Sequence, residues 1–167
     1  LRDGTVADEQ GHTTVMGPMA EVVQRSTQHW PADDLQAMAV YLKDLPVQAE
    51  PVPDVEPAAP AQMDLGQRVY QQHCADCHGA QGQGASGAYP PLAGNRAVVM
   101  ASSVNTVQAI VSGGFAPATA GHPQPYGMPP FRTLLQDAEI AAVASFLRQS
   151  WGHQANPENP LEVQRVR

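Results

Sequence analysis

The chain of 167 residues is long enough for one ordinary domain or for a small domain with attached segments. Its net charge of −7 and its single lysine exclude the basic surface that binds nucleic acid, and no apolar run is long enough to span a bilayer. Only 2 Trp, 4 Tyr and 3 Phe are present, so a buried flat cofactor would enlarge an otherwise modest apolar core.

The first part of the chain, residues 1–45, is predicted to contain two short helices. Residues 1–16 are polar and show no persistent period. A helix is predicted from Pro18 to about Gln28, because proline suits a first helical turn. A second helix is predicted from about Asp33 to Asp44, since apolar residues recur on one face and a proline follows.

The segment 46–61 is predicted to be a linker between domains. It contains five prolines among alanine, valine and acidic residues. Such a composition favours a semi-rigid, extended chain. We therefore expect a domain boundary here, with a second domain over residues 62–155 and a C-terminal tail over residues 156–167.

The second domain is predicted to be all-α. Asp64 is expected to cap a helix that runs to about His73, and apolar periodicity predicts further helices over Ala97–Val111 and about Asp137–Ser150. Gln136 precedes the last helix where Ser or Thr is more usual, so we expect that helix to be less well capped. Loops rich in Gly and Pro separate the helices.

An internal repeat links the two parts of the chain. Residues 34–43 align without gaps on residues 139–148, and each copy follows a methionine flanked by Gly and Pro, Met19 or Met128. The repeat predicts two domains of one type, of which residues 1–45 hold only the end of the first. The alternative is that short amphipathic helices resemble one another by chance.

The strongest motif is C-A-D-C-H at residues 74–78, which contains the only two cysteines. This spacing is the c-type haem attachment signature, because each thiol can form a thioether to one porphyrin edge and the imidazole then reaches the iron. A zinc site would need four N or S ligands. A thioredoxin-like pair would lie within a βαβ pattern, which is absent here. The motif therefore predicts one covalent haem c, held by Cys74, Cys77 and His78.

His78 is the expected proximal iron ligand. Its second ring nitrogen needs an acceptor that fixes the tautomer. The carbonyl of Pro90 or Pro91 is the candidate, since prolines hold an extended segment in a fixed geometry.

Three side chains compete for the opposite face of the iron. Met100 falls within a predicted helix, whereas His122 and Met128 lie in the Pro- and Gly-rich loop before the last helix. We favour Met128, because a thioether opposite histidine leaves no open position and suits electron transfer. An open iron, or one bound by His122, would indicate a haem enzyme or a sensor.

Other residues are expected to shape the haem pocket. Gly66 and Tyr70 share a helical face, and Phe146 on the last helix is their expected partner, with glycine allowing the helices to cross closely. Arg96 and Arg132 are candidates for pairing with the haem propionates.

On these residues, the segment 62–155 resembles a class I cytochrome c domain. The matching parts are the Gly66 helix, the motif at 74–78, the segment 89–92, the segment 127–131 and the Phe146 helix. The resemblance implies an all-α fold around one covalent haem c with the iron ligands His78 and Met128. It also implies haem contacts from Tyr89, Pro91 and Leu92.

The whole chain resembles the C-terminal part of the multihaem cytochrome c subunit of membrane-associated bacterial dehydrogenases of the alcohol and gluconate type. Residues 17–23 and 39–42 resemble the end of that family's middle haem domain. The resemblance implies a catalytic dehydrogenase subunit as electron donor and a quinone, an oxidase or another cytochrome as acceptor. It would also make Met19 a haem ligand, although a second C-x-x-C-H is absent.

The haem prediction also bears on localisation. Thioethers to haem form on the outer side of the bacterial inner membrane, so we expect a periplasmic protein whose precursor carried a signal peptide. Membrane association is expected through other parts of the subunit. Electron transfer by such a module involves no bond chemistry of its own, so the chain is expected to be an electron-transfer component rather than an enzyme.

Overall fold

The computed structural model describes residues 2–8, 11–46 and 54–167. Part of the predicted proline-rich linker, residues 47–53, lies outside the described residues. In the ranges that the structure describes, none of the helices combines the length and apolar character needed to cross a bilayer.

Residues 2–8 and 11–45 form a small unit, hereafter the N-terminal module. Two antiparallel strands, β1 (Thr5–Asp8) and β2 (Gly11–Thr14), precede the helices α1 (Pro18–Arg25) and α2 (Ala32–Asp44). A short 3₁₀ turn, Thr27–His29, joins the helices. This pair of strands lies in a segment whose sequence shows no persistent period, because cross-strand pairing and not an apolar period specifies it.

The remaining elements build a mainly helical domain, which agrees with the expected fold class. Its helices are α3 (Pro60–His73), α4 (Ala75–His78), α5 (Val104–Ser112), α6 (Asp137–Gln149) and α7 (Pro160–Val166). A two-residue ladder pairs β3 (Gly114–Phe115) with β4 (Gly127–Met128).

Helices α3 and α6 cross at the centre of this domain. A β-carbon on Gly66 would overlap the carbonyl of Ala142, so the helices are as close as glycine permits. Next to the crossing, the rings of Tyr70 and Phe146 lie 5.4 Å apart. The predicted contact of Gly66 and Tyr70 with Phe146 is therefore confirmed. This contact holds the C-terminal half of α3 against α6.

Two predicted helix starts are wrong. Helix α3 begins at Pro60, so Asp64 lies inside the helix instead of capping it. Helix α5 begins at Val104 and not at Ala97. In the second case the side chain of Asn95 accepts a hydrogen bond from the backbone N–H of Ala97 at 2.9 Å, which stabilises a turn in place of a helix.

The start of α6 is also better capped than expected. The carboxylate of Glu139 accepts a hydrogen bond from the backbone N–H of Gln136 at 2.9 Å. This is the glutamate half of a capping box, and it satisfies a donor at the helix start. The expectation of a poorly capped start is therefore wrong.

The expected C-terminal tail contains a packed helix instead. Asn159 caps α7 by accepting from the N–H groups of Leu161 and Glu162 at 3.0 and 3.1 Å. Val163 on this helix is fully buried, in the same cluster as α5 and α6. Helix α7 therefore packs on the helical domain through Val163.

Candidate functional site

Both cysteines and His78 line one cavity of about 870 Å³. This volume lies at the upper end of the roughly 300–1,000 Å³ range of ligand and cofactor pockets. Cys74 follows the last residue of α3, whereas Cys77 and His78 lie on α4. The break between two helices therefore brings the whole motif to the cavity wall.

His78 is held in a defined tautomer. Its Nδ1 lies 3.0 Å from the carbonyl oxygen of Pro90 and donates to it, which confirms Pro90 as the predicted acceptor. Burial lowers the pKa of His78 and the Pro90 hydrogen bond partly opposes this shift. The imidazole is therefore neutral at pH 7, and Nε2 has no hydrogen-bond partner in the described part of the chain. A neutral ring with one free nitrogen is what an iron ligand needs.

The segment that carries the Pro90 carbonyl is fixed by its neighbours. Ala85 and Tyr89 exchange backbone hydrogen bonds of 2.9 Å in both directions, and Leu92 N–H donates to Gly82 at 2.7 Å. A β-carbon on Gly84 would lie 2.6 Å from the nitrogen of Pro91. The acceptor for His78 therefore sits in a rigid, tightly packed loop.

No disulfide joins Cys74 and Cys77, so both sulfurs are available for thioether bonds. Burial, together with the neighbouring Cys77, raises the pKa of Cys74 to about 11. Before a thioether forms, burial therefore favours the neutral thiol of Cys74 over its thiolate. Among the described residues, no group of three or more His, Cys, Asp and Glu side chains is arranged to hold a metal ion.

Met128 lies on another wall of the same cavity. It belongs to β4, where it pairs with Gly114. Gly113 has φ of +60°, and a β-carbon there would overlap the carbonyl of Met128, so the backbone at this position is closely packed. The ladder and the glycine together hold the Met128 backbone in place.

The structure gathers most, but not all, of the predicted site residues. Tyr89, Pro91 and His122 line the cavity, in addition to the motif and Met128. Leu92 packs against the hydrophobic core instead. The remaining candidates, Arg96, Met100 and Arg132, do not line the cavity. Arg96 and Met100 are exposed, and the guanidinium of Arg132 donates to the carbonyl of Arg167.

Several cavity residues escaped the sequence prediction. Asp3, Thr5, Thr14 and Met16 of the N-terminal module contribute to the wall, and the exposed ring of Tyr126 packs 5.2 Å from that of Tyr89. None of them belongs to a recognisable motif. Their position follows only from the docking of the module and from the loop between β3 and β4.

The residues around the cavity fit a covalent haem. Two thiols lie beside a neutral imidazole, and a thioether lies on a further wall of the same cavity. Prolines and aromatic rings make up much of the remaining lining. This donor set is suited to thioether attachment and to axial ligation of iron.

The chain was compared with known proteins. The cytochrome c family matches residues 63–151. The chain is 37% identical over 165 residues to the cytochrome c subunit of alcohol dehydrogenase (quinone) from Gluconobacter oxydans, and 32% identical over 158 residues to the gluconate 2-dehydrogenase cytochrome c subunit from Pantoea cypripedii.

These alignments cover 93% and 86% of the chain, but only 34% and 35% of the two relatives, so the chain spans about a third of their length. Cytochrome c-552 from Thermus thermophilus is 36% identical over 97 residues, which is 55% of the chain and 63% of that protein.

Proposed function

Because this chain belongs to the cytochrome c family, we propose that it is an electron-transferring part of a multihaem cytochrome subunit of a bacterial dehydrogenase. A cytochrome c domain binds haem c covalently, and electron transfer through this haem is its function. The similarity to cytochrome c subunits of dehydrogenases supports an electron-transfer role and not a catalytic one.

We propose His78 and Met128 as the two iron ligands. The observation that carries this proposal is that both side chains line the cavity that also contains Cys74 and Cys77. Bound haem c supplies an iron that gains and loses one electron. The protein contributes a neutral imidazole fixed by Pro90 and a thioether.

The proposed partners follow from the relatives. A catalytic dehydrogenase subunit is the proposed electron donor, and a quinone, an oxidase or another cytochrome is the proposed acceptor. The relatives are subunits of alcohol and gluconate dehydrogenases, which supports a donor of this kind. We place the chain in the periplasm, with membrane association through other parts of the subunit.

The N-terminal module is proposed to be the end of a preceding cytochrome c domain, joined to residues 62–155 by the segment 46–61. The internal repeat supports this assignment. In addition, α2 contains no buried residue, and its apolar side chains Val40 and Tyr41 are 57% and 66% exposed. The matching helix α6 is largely buried, and this difference supports the proposal that α2 packs against further chain in a longer protein.

An open or His-ligated iron is the alternative. His122 lines the same cavity as Met128, so an imidazole is available on that loop. Such a site would bind exogenous ligands or act as a sensor instead of a closed electron carrier.

Spectroscopy of the purified holoprotein separates the two possibilities. We expect the near-infrared band of a sulfur–ferric iron bond in the wild type and in the control Met100→Ala, because Met100 is 50% exposed and lies outside the cavity wall. Met128→Ala should lose the band and bind carbon monoxide readily when reduced. A wild type that lacks the band, or that binds carbon monoxide at neutral pH, would overturn the proposal. Intact mass counts the attached porphyrins.

A further inference from the structure

The N-terminal module forms part of the cavity wall, although the sequence predicts that a linker separates it from the haem-binding domain. Asp3, Thr5, Thr14 and Met16 line the cavity together with the C-x-x-C-H motif. Thr5 and Thr14 face each other across the β1–β2 pair, so one end of this hairpin borders the cavity.

Three contacts hold the module against β3 and the loop between β3 and β4. Gly4 is buried so closely on Pro117 that a β-carbon on Gly4 would overlap the proline ring. Gln28 Nε2 donates to the carbonyl of Ala118 at 3.1 Å. A β-carbon on Gly114, the residue paired with Met128, would lie 3.1 Å from Met16 Cε. The module is therefore docked on the loop that leads to the proposed iron ligand.

Two of these residues have opposite chemical character. The side chain of Met16 is apolar and half-buried at the cavity wall. Asp3 is exposed, and among the described residues that line the cavity it is the only Asp, Glu, Lys or Arg. One residue therefore limits contact with water, and the other brings a negative charge to the rim.

We propose that the N-terminal module completes the haem pocket and sets its reduction potential, with Met16 excluding water from the haem and Asp3 providing a negative charge at the rim. This inference rests on the proposed function, namely a single haem c ligated by His78 and Met128. Met16 and Asp3 act on the iron through their surroundings and are positioning residues, not ligands.

The sign of each effect follows from the one-electron reduction. The ferric state carries one more positive charge than the ferrous state, and the electron comes from the donor protein. Apolar surroundings disfavour the state with the greater charge, so Met16 favours reduction. A nearby carboxylate stabilises the positive charge, so Asp3 favours the ferric state.

Midpoint potentials of variants of the full holoprotein test the proposal. We expect Met16→Ala to lower the equilibrium constant for reduction about three- to tenfold, roughly 30 to 60 mV at about 59 mV per tenfold change. In Met16→Leu, which keeps an apolar side chain, most of this decrease in the equilibrium constant should be absent. Asp3→Asn should raise the constant about twofold at low ionic strength, and the gain should shrink in salt because Asp3 is exposed. Val22→Ala, which truncates a 41% exposed side chain of the same module away from the cavity wall, is the matched control.

The opposite signs distinguish this role from a structural one. If the substitutions only loosened the module, the midpoint potentials of Met16→Ala and Asp3→Asn would either both fall or both stay unchanged. A Met16→Ala potential equal to that of Val22→Ala, or a fall in Asp3→Asn, would overturn the proposal. Asp3→Asn is nearly isosteric and exposed, so it keeps the test valid if Met16→Ala does not fold. Failure of the proposed function would show separately, as a wild type without the sulfur–iron band.

Discussion

Gly66 on α3 lies directly against the backbone carbonyl of Ala142 on α6. A β-carbon on Gly66 would overlap this carbonyl and would also lie 2.8 Å from Cβ of Phe146. Since the nearest obstacle is backbone, no side-chain rotation relieves the clash. We predict that Gly66→Ala lowers the free energy of unfolding of the holoprotein by about 1–3 kcal/mol, the usual cost of overpacking, measured by urea denaturation.

Gly121→Ala is the matched control for this prediction. A β-carbon at Gly121 meets nothing within 4 Å, and its φ lies outside the left-handed region. We expect its free energy of unfolding to stay within about 0.5 kcal/mol of the wild type. If Gly66→Ala cost no more than this control, the close crossing of α3 and α6 would not be a constraint on the fold.

Tyr70 provides a prediction about pH. Its hydroxyl donates to the carbonyl of Gly79 at 2.5 Å, just after the haem-binding motif. Burial is the main cause that raises the pKa of Tyr70 to about 12, and a hydrogen bond from the backbone of Gly82 partly opposes it. The smaller contribution of an ionised Cys74, which also raises the pKa, is lost once Cys74 forms a thioether. Tyr70→Phe removes both the hydrogen bond and the titrating group, and it should cost about 1 kcal/mol of stability at pH 7.

Tyr70 makes the folded protein less stable at alkaline pH. Between its ordinary pKa of 10 and its folded value of about 12, the phenol is ionised in the unfolded chain and neutral in the folded one. The unfolded state then binds fewer protons, so stability falls as pH rises through this window. Urea titrations should show a steeper fall for the wild type than for Tyr70→Phe. Parallel curves would mean that Tyr70 titrates normally in the folded protein.

Arg148 connects three parts of the helical domain from a buried position. It is 2% exposed, its Nη1 donates to the carbonyls of Val98 and Met100 at 2.9 and 3.0 Å, and its Nε donates to Asn156 at 2.7 Å. The carboxylate of Glu158 lies 3.9 Å from Nε. Arg148→Leu would leave Glu158 as a buried charge without its cation, so we expect a loss of about 3–5 kcal/mol.

The surface pair of Arg165 and Glu162 supplies the control. These side chains are 73% and 47% exposed and approach to 2.6 Å. Because solvent screens such pairs, Arg165→Leu should change stability by no more than about 1 kcal/mol. Thermal and urea denaturation of both holoprotein variants compares them. Equal losses would show that Arg148 carries no special structural role.

The parts of the site that are local in sequence were the predictable ones. The motif at 74–78 places its thiols and imidazole together by spacing alone, and the periodic helix α6 was placed within one residue of its observed end. Pro90 was predictable as one of two acceptors for His78, because consecutive prolines restrict the backbone that presents the carbonyl. These predictions needed no knowledge of how distant segments meet.

The contacts that sequence could not supply join segments far apart in the chain. Met16 and Asp3 reach the cavity only because the module docks on Pro117 and Ala118, about a hundred residues later. A similar reason applies to α7, whose Val163 is buried by elements that precede it in sequence. The internal repeat includes Arg148 as a basic position, but nothing local distinguishes this buried base from its exposed counterpart, Lys43.

Gly84 offers a functional prediction at the haem ligand. It has φ of +67°, and a β-carbon there would lie 2.6 Å from both the Tyr89 oxygen and the Pro91 nitrogen. Gly84→Ala should therefore push the Pro90 carbonyl away from His78 Nδ1. Losing this acceptor makes the imidazole less basic, which stabilises ferric iron less. We expect the equilibrium constant for reduction to rise about two- to fivefold, roughly 20–40 mV at about 59 mV per tenfold change.

Gly152→Ala separates this effect from backbone strain. Gly152 also has a positive φ, +84°, but a β-carbon there meets nothing within 4 Å and the residue lies outside the cavity wall. Both variants force alanine into the left-handed region and should lose similar stability for that reason, yet only Gly84→Ala crowds the segment that carries Pro90. Redox titration should therefore shift for Gly84→Ala alone, and its His78 Nδ1 proton should exchange faster with solvent by NMR. Equal potentials in the two variants would show that the Pro90 carbonyl does not tune the iron, because the strain they share would then account for the whole effect.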